Sequence, residues 1–341
     1  MFFKRVLTVI VGAAILFMAA CAGNDSNSAS GDVKLRFSTS STPAQHHTKA
    51  AQRFAELVDE YSSGSVKVQV FDSGSLYDQM SEQTALLRGS LDMAYSAPNW
   101  VAERVPEASI VSVPYLIDDL DHLYAVMDGE VGQQIYDATI EKAKIRPLTS
   151  LYLGTRQLNL VKKVDKVMKP ADLKGVKLRV PDAPSWIKMG RAMGANPTPV
   201  AFNELYLALQ TGTVEGQENP LPTTIDAKFQ EVTSQVSLTG HLVDFVMPTI
   251  NEEVWNGLSV EQQEAIQKAW DEARDYGTDL IVKQESEAIQ NLKKDGLDVY
   301  EPDREAFRDE VLPKYLDDSK LTSHWSDGAL DTIEKLRVSG N

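Results

Sequence analysis

The chain has 341 residues, with 34 basic and 49 acidic side chains giving a net charge of −15, and 43% of it is hydrophobic. That hydrophobic share builds an ordinary packed core and excludes a disordered chain, and the length allows two domains. No basic patch, basic tail or aromatic–basic interleaving is present, so nucleic acid is not an expected partner.

The first residues read as an export signal. Lys4 and Arg5 form a charged start, residues 6–18 an apolar run, and Ala19 and Ala20 a small-residue processing site. The run is too short for a comfortable membrane span. Cys21 is the only cysteine, so intramolecular disulfides are excluded and a thiol metal site is not expected. A lone cysteine directly after such a signal resembles the lipid-modified residue of bacterial lipoproteins, with Met18-Ala19-Ala20-Cys21 as the lipobox-like run. A plain secretory signal cut nearby is the alternative. Residues 1–20 are thus expected to be a lipoprotein signal peptide and residues 21–32 a polar, flexible tether without periodicity.

Val33, Leu35 and Phe37 alternate with polar residues and predict a first strand. Ala50, Phe54, Leu57, Val58 and Tyr61 mark one helix face, closed by Ser63-Gly64, and Val66, Val68 and Val70 predict a second strand. A helix over 78–87 and a strand over 91–96 follow. Strand, helix, strand, helix, strand in this order argues a parallel sheet of βαβ units. Helices are expected to be dense over 116–144, with a strand over 146–160. Ser259 and Gln262 form a capping box, and the helix it opens is expected to run to about residue 294, long enough to lie across two domains. Residues 297–336 read as helical and acidic, without evident chemistry.

Residues 175–222 organise the rest. Val176, Leu178 and Val180 alternate with Lys177 and Arg179, and Pro181 stops the strand. Arg179 thus stands opposite the apolar residues at a carboxyl strand end, where ligands settle in open α/β sheets. A guanidinium there can clamp a carboxylate with two parallel bonds, although a solvated strand-end charge has the same spacing. Phe202, Leu205, Tyr206 and Leu209 predict a helix over 201–211 ending at Gly212. A strand over 214–218 then ends at Asn219-Pro220, so Arg179 and Asn219 can meet at one crevice.

No G-x-S-x-G elbow, H-E-x-x-H, Walker loop or strand-borne G-x-G-x-x-G occurs. Among five histidines only His46 and His47 are adjacent, and adjacent residues face different ways on a regular element, so no metal site is expected. No cofactor is expected either.

The runs LKGVKLRVP and MGANPTPVAFNELYLALQTGTVEGQENP resemble the solute-binding subunit of TRAP (tripartite ATP-independent periplasmic) transporters, over nearly all of the chain from Val33 to about Asp318. The resemblance implies an α/β, two-domain periplasmic-binding-protein-like fold, with crossing strands and a long bracing helix, that closes on its ligand. The domains implied are 33–154 plus 245–285 and 155–244 plus 286–330. It implies a carboxylate clamp at Arg179, a second arginine at Arg156, an aromatic at Phe202 and an asparagine at Asn219. On the first domain the corresponding places hold Gln45 and His46, Glu82, and Asn99, with His46 expected at a helix start facing the cleft. Gln217 joins Asn219 as a hydroxyl partner, and Trp186 or Phe202 as an aromatic platform. The segments GANPTPVAFNELYLALQTG and QENPLPT, with Trp186 and Leu238–His241, look more like members that take hexuronates and related sugar acids; C4-dicarboxylate binding is the alternative. What is implied is a periplasmic or extracytoplasmic binding protein, monomeric, lipid-anchored, without catalysis, handing a small organic acid to membrane subunits. An exported lyase or hydrolase acting on acidic carbohydrate is the reading from another class.

Overall fold

A computed structural model of the chain describes residues 32–337; the expected signal, Cys21 and all but the last tether residue lie outside them. The chain opens as alternating units: β1 (Val33–Ser38), α1 (His46–Tyr61), β2 (Val66–Phe71), α2 (Gln79–Leu87) and β3 (Met93–Ser96). Strand β1 pairs in parallel with both β2 and β3, as the βαβ pattern requires. Helix α1 ends where Ser63 and Gly64 take positive φ (52° and 83°), which turns the chain back into β2.

Short α3 (Pro98–Val101), then α4 (Leu120–Met127) and α5 (Glu130–Ala143), fill the helix-rich region. The single strand expected over 146–160 is two, β4 (Ile145–Pro147) and β5 (Leu151–Leu160). The second unit comprises β6 (Lys177–Val180), α6 (Pro184–Ala192), β7 (Asn196–Pro199), α7 (Leu205–Gln210), β8 (Gly216–Pro220) and α8 (Leu221–Asp226). A 3-10 turn, Phe202–Glu204, precedes α7 where one helix was expected. Strand β8 lies two residues later than expected, with Pro220 closing it as its last residue.

Strand β9 (Gln235–Asn251), 17 residues long, is the longest element the sequence pattern did not announce. After α9 (Glu252–Asn256) comes α10 (Val260–Lys294), 35 residues, opened by the expected capping box. Ser259 Oγ accepts from the Gln262 N–H, and Gln262 Oε1 accepts from the Ser259 N–H at 3.0 Å. The acidic end is not all helix: β10 (Asp298–Tyr300) pairs with the start of β9 before α11 (Arg304–Val311), α12 (Pro313–Leu316), α13 (Ser319–Thr322) and α14 (Ala329–Lys335).

The strands run in the order β2-β1-β3-β9-β5-β8-β6-β7, with β4 and β10 also on β9. Residues 247–251 of β9 pair with β3 and β4, whereas residues 235–237 and 242–246 pair with β5. One strand therefore serves two wings, β1–β4 and β5–β8 with β10. The expected boundary at 154/155 falls inside β5 beside a register shift. The boundary at 244/245 falls in β9, two residues before its pairing passes to β3, and that at 285/286 falls in α10.

Helix α10 packs against α1, β5 and α8, so it touches both wings. Its Trp270 is buried and stacks on Phe54 of α1, centroids 4.3 Å apart, with Phe37 and Tyr95 at about ring-contact range. An aromatic burying about 200 Å² at about 25 cal/mol per Å² contributes on the order of 5 kcal/mol, which fixes the helix to the first wing.

Candidate ligand-binding site

The carboxyl ends of β6 and β8 meet the loop after β1 and the starts of α1 and α2 around a cavity of about 80 Å³. Leu178 and Val180 point into the core and are fully buried, so alternation sends Arg179 to the cavity side. Its Nε–H donates to the Val200 carbonyl at 2.8 Å and an Nη2–H to Gln79 Oε1 at 3.0 Å, and the guanidinium lies 5.9 Å from the Phe202 ring centroid. Among the described residues no carboxylate is within ion-pair distance of it. Burial pushes this guanidinium down to about 9; Glu218's charge opposes the shift and Arg156's adds to it.

Arg156, on β5, is in the opposite situation. It donates to both Glu218 carboxylate oxygens, to Asp244 Oδ2 and, at 3.0 Å, to Asn219 Oδ1. Burial works against its charge, yet Glu218 and Asp244 outweigh it and hold the pKa above the ordinary value. The Trp186 ring covers it, 4.5 Å from the guanidinium carbon. His241 Nε2 lies 3.2 Å from Glu218 Oε2, and its Nδ1 2.8 Å from Thr239 Oγ1. Burial lowers His241, so the neutral ring donates to Glu218 and accepts from Thr239. Burial raises Asp244, and Arg156 offsets part of that. Burial alone would raise Glu218 as well, but Arg156 and His241 bring it below its ordinary value.

The first wing supplies a hydroxyl-rich wall, Thr39, Ser40 and Ser41, together with Gln45, His47 and Glu82. Glu82 is buried and weakly bonded to Ser38 Oγ at 3.4 Å; burial raises its pKa well above the usual carboxylate range. Such a carboxyl can accept from a ligand hydroxyl when ionised and donate when protonated.

The cavity thus brings together Arg179, Arg156, Asn219, Phe202, Trp186 and Glu82. Three expected residues lie elsewhere. His46 does open α1, but its Nε2–H donates to the Tyr152 carbonyl at 3.0 Å, and burial lowers it to about 4; its neighbour His47, bonded to Ser41 Oγ at 2.6 Å, is the one lining the cavity. Adjacent helix positions differ by about 100°, so only one of the two faces the cleft. Gln217 stands behind Asn219, donating to Asn159 Oδ1 and Thr224 Oγ1 while accepting from Asn219 Nδ2. Asn99 lines a neighbouring crevice, where its carbonyl accepts from Ser185 Oγ at 3.0 Å.

Gln79, Glu218 and Asp244 were not singled out by the sequence. The signal for Asp244 was present: an acid inside the apolar run LVDFVMPT, which is also the missed strand. A buried acid in such a run needs a cation.

Residues 37–320 match the family described as bacterial extracellular solute-binding protein, family 7 (DctP). The chain belongs to this family. The sialic acid-binding periplasmic protein SiaP of Vibrio cholerae is 36% identical over 266 residues, covering 78% of this chain and 82% of that protein. A solved TRAP periplasmic solute-binding protein of Roseobacter denitrificans, holding 3-deoxy-D-manno-oct-2-ulosonic acid, superimposes with a TM-score of 0.84 at 40% identity over 89% of this chain and 99% of that one. Another from the same organism, holding β-D-glucuronate, gives 0.83 at 29% identity over 88% and 99%. This TRAP solute-binding protein accordingly has the two-domain α/β fold of periplasmic binding proteins that the sequence led us to expect, with two wings, a shared strand and a bracing helix.

Proposed function

We propose that this solute-binding protein captures a small sugar acid, best a hexuronate or a related acid, by closing its two lobes on it and passes it to TRAP membrane subunits. The observation that carries the reading is the contrast between two buried arginines. Arg156 is neutralised by Glu218 and Asp244, whereas among the described residues no carboxylate is within ion-pair distance of Arg179. A buried cation without a counter-ion is costly, and a ligand carboxylate supplies what is missing. Asn219 and the Ser and Thr wall offer partners for hydroxyls, and Phe202 and Trp186 offer faces for C–H surface. The sugar acids held by the related proteins support the same class.

A C4-dicarboxylate fits less well. Its second carboxylate would meet Glu82 and an arginine already paired with two acids. Catalysis is not part of the proposal: Glu218 and Asp244 are held by Arg156 rather than poised at a reacting bond. The lobes we assign are 33–154 with 245–285, and 155–244 with 286–330. We also assign a lipid anchor on Cys21 and action as a monomer in the periplasm, the anchor resting on the sequence run alone.

A thermal-shift screen of sugar acids, dicarboxylates and uncharged sugars tests the ligand class. A ligand at 100 times its Kd stabilises by about 2.7 kcal/mol, so a hexuronate should raise the melting temperature by several degrees. Dicarboxylates alone giving the shift would overturn the assignment. Mass spectrometry of the incubated acid should return it unchanged; a converted product points to the enzyme instead.

A further inference from the structure

We infer that Gln79 is a positioning residue that aims the Arg179 clamp from the opposite side of the cleft. The inference rests on the reading of Arg179 as the anion site. Gln79 is the first residue of α2, in the first wing, and Asp78 caps that helix by accepting from the Met80 and Ser81 N–H groups at 3.0 and 2.8 Å. The Gln79 side chain therefore leaves from a fixed turn. Its Oε1 accepts two bonds from the second wing, one from Arg179 Nη2 at 3.0 Å and one from the Phe202 N–H at 3.0 Å. A carbonyl oxygen has two lone pairs, so both are used.

The guanidinium is consequently held at two points by different wings. Nε is tied to Val200 on its own side and Nη2 to Gln79 across the cleft. Of five N–H donors, these bonds use two, which leaves the Nη1 pair and one Nη2 hydrogen for a carboxylate. The cross-cleft bonds exist only at this separation of the wings, so the aim of Arg179 is coupled to closure.

The choice of an amide matters chemically. A carboxylate at this place would neutralise Arg179 with the protein's own charge, as Glu218 and Asp244 neutralise Arg156. Glutamine supplies the geometry without the charge and leaves the cation for the ligand.

Gln79→Glu and Gln79→Ala test this in opposite directions, each with and without Arg179→Ala. In ligand-free protein, Gln79→Glu should pair with Arg179 across the cleft and lower the radius of gyration in X-ray scattering, and Arg179→Ala should abolish that compaction. Gln79→Ala should show no compaction. With D-glucuronate as the probe, Gln79→Glu should weaken binding at least a hundredfold. Gln79→Ala should weaken it about ten- to hundredfold, mostly through faster release. A merely structural role would move both variants the same way. Wild-type scattering from ligand-free Gln79→Glu overturns the inference, as does wild-type affinity in both variants. If the wild-type protein binds no sugar acid, the ligand assignment fails, while the ligand-free scattering still decides the role of Gln79.

Discussion

At the scale of single residues, the two buried arginines are expected to respond oppositely to truncation. Arg156→Ala leaves Glu218 and Asp244 buried without their cation, and breaking such a pair costs about 3–5 kcal/mol. Urea unfolding should show that loss for Arg156→Ala and little loss for Arg179→Ala; equal stabilities contradict it. The buried histidines set an acid limit. Burial lowers His46 to about 4, lowers His47 well below its ordinary value, and lowers His241. Below about 6.5 the unfolded chain takes up protons that the folded chain refuses, so stability is complete above about pH 6.5 and falls as pH drops. Each such histidine contributes a slope of up to about 1.4 kcal/mol per pH unit in that window. His46→Gln should flatten the decline between about pH 6.5 and about pH 5, measured by denaturant midpoints; an unchanged slope contradicts it. Arg179, Arg156, Asn219, Phe202, Trp186 and Glu82 were named from the sequence, whereas Gln79, Glu218 and Asp244 were not, and side-chain directions were less legible. His46 and His47 differ only in helix phase, and that phase is fixed by where α1 starts, which spacing alone gives to within a residue or two.

Among elements, the ones with local signals were legible. The capping box announced α10, and period-two alternation announced β1 and β2. Strand β9 gave no single signal, because alternation over residues 235–242 passes into a mostly apolar run holding Asp244 and Pro248, and the strand is buried nearly throughout. The crossing of β5 and β9 was equally silent. There β5 shifts register between Tyr152 and Gly154, and Gly154 takes φ +107°. Glu285 of α10 accepts from the Thr155 N–H at 2.8 Å and the Tyr152 hydroxyl at 2.9 Å, while His46 holds the Tyr152 carbonyl. A Cβ at Gly154 would meet Pro220 Cβ at 2.7 Å and Glu285 Oε1 at 2.8 Å. Gly154→Ala should therefore cost at least about 1–3 kcal/mol, from the backbone conformation alone, read as a lower urea midpoint. A variant as stable as wild type would show that the crossing relaxes freely.

For the molecule as a whole, charge and function pull apart. A protein of net charge −15 that takes up an anion repels it at long range and attracts it only at the clamp. Salt shortens the repulsion, with a Debye length of about 8 Å at 0.15 M, so the association rate of a sugar acid should rise from low to physiological salt. A rate that falls with salt would mean that the cleft's own positive field dominates. Closure belongs to this scale too, since Arg179 and Glu82 reach one cavity from different wings. The measurement that decides most is titration calorimetry of Arg179→Ala and Arg179→Lys with the acid that stabilises the wild type, using circular dichroism as the folding control. Truncating one partner of a desolvated ion pair costs about 2–5 kcal/mol, which is roughly thirtyfold to several thousandfold in Kd. Arg179→Ala should lose that much while staying folded, and Arg179→Lys, with the charge but not the fork, should fall between. A folded Arg179→Ala protein that binds its acid as tightly as wild type would place the clamp elsewhere.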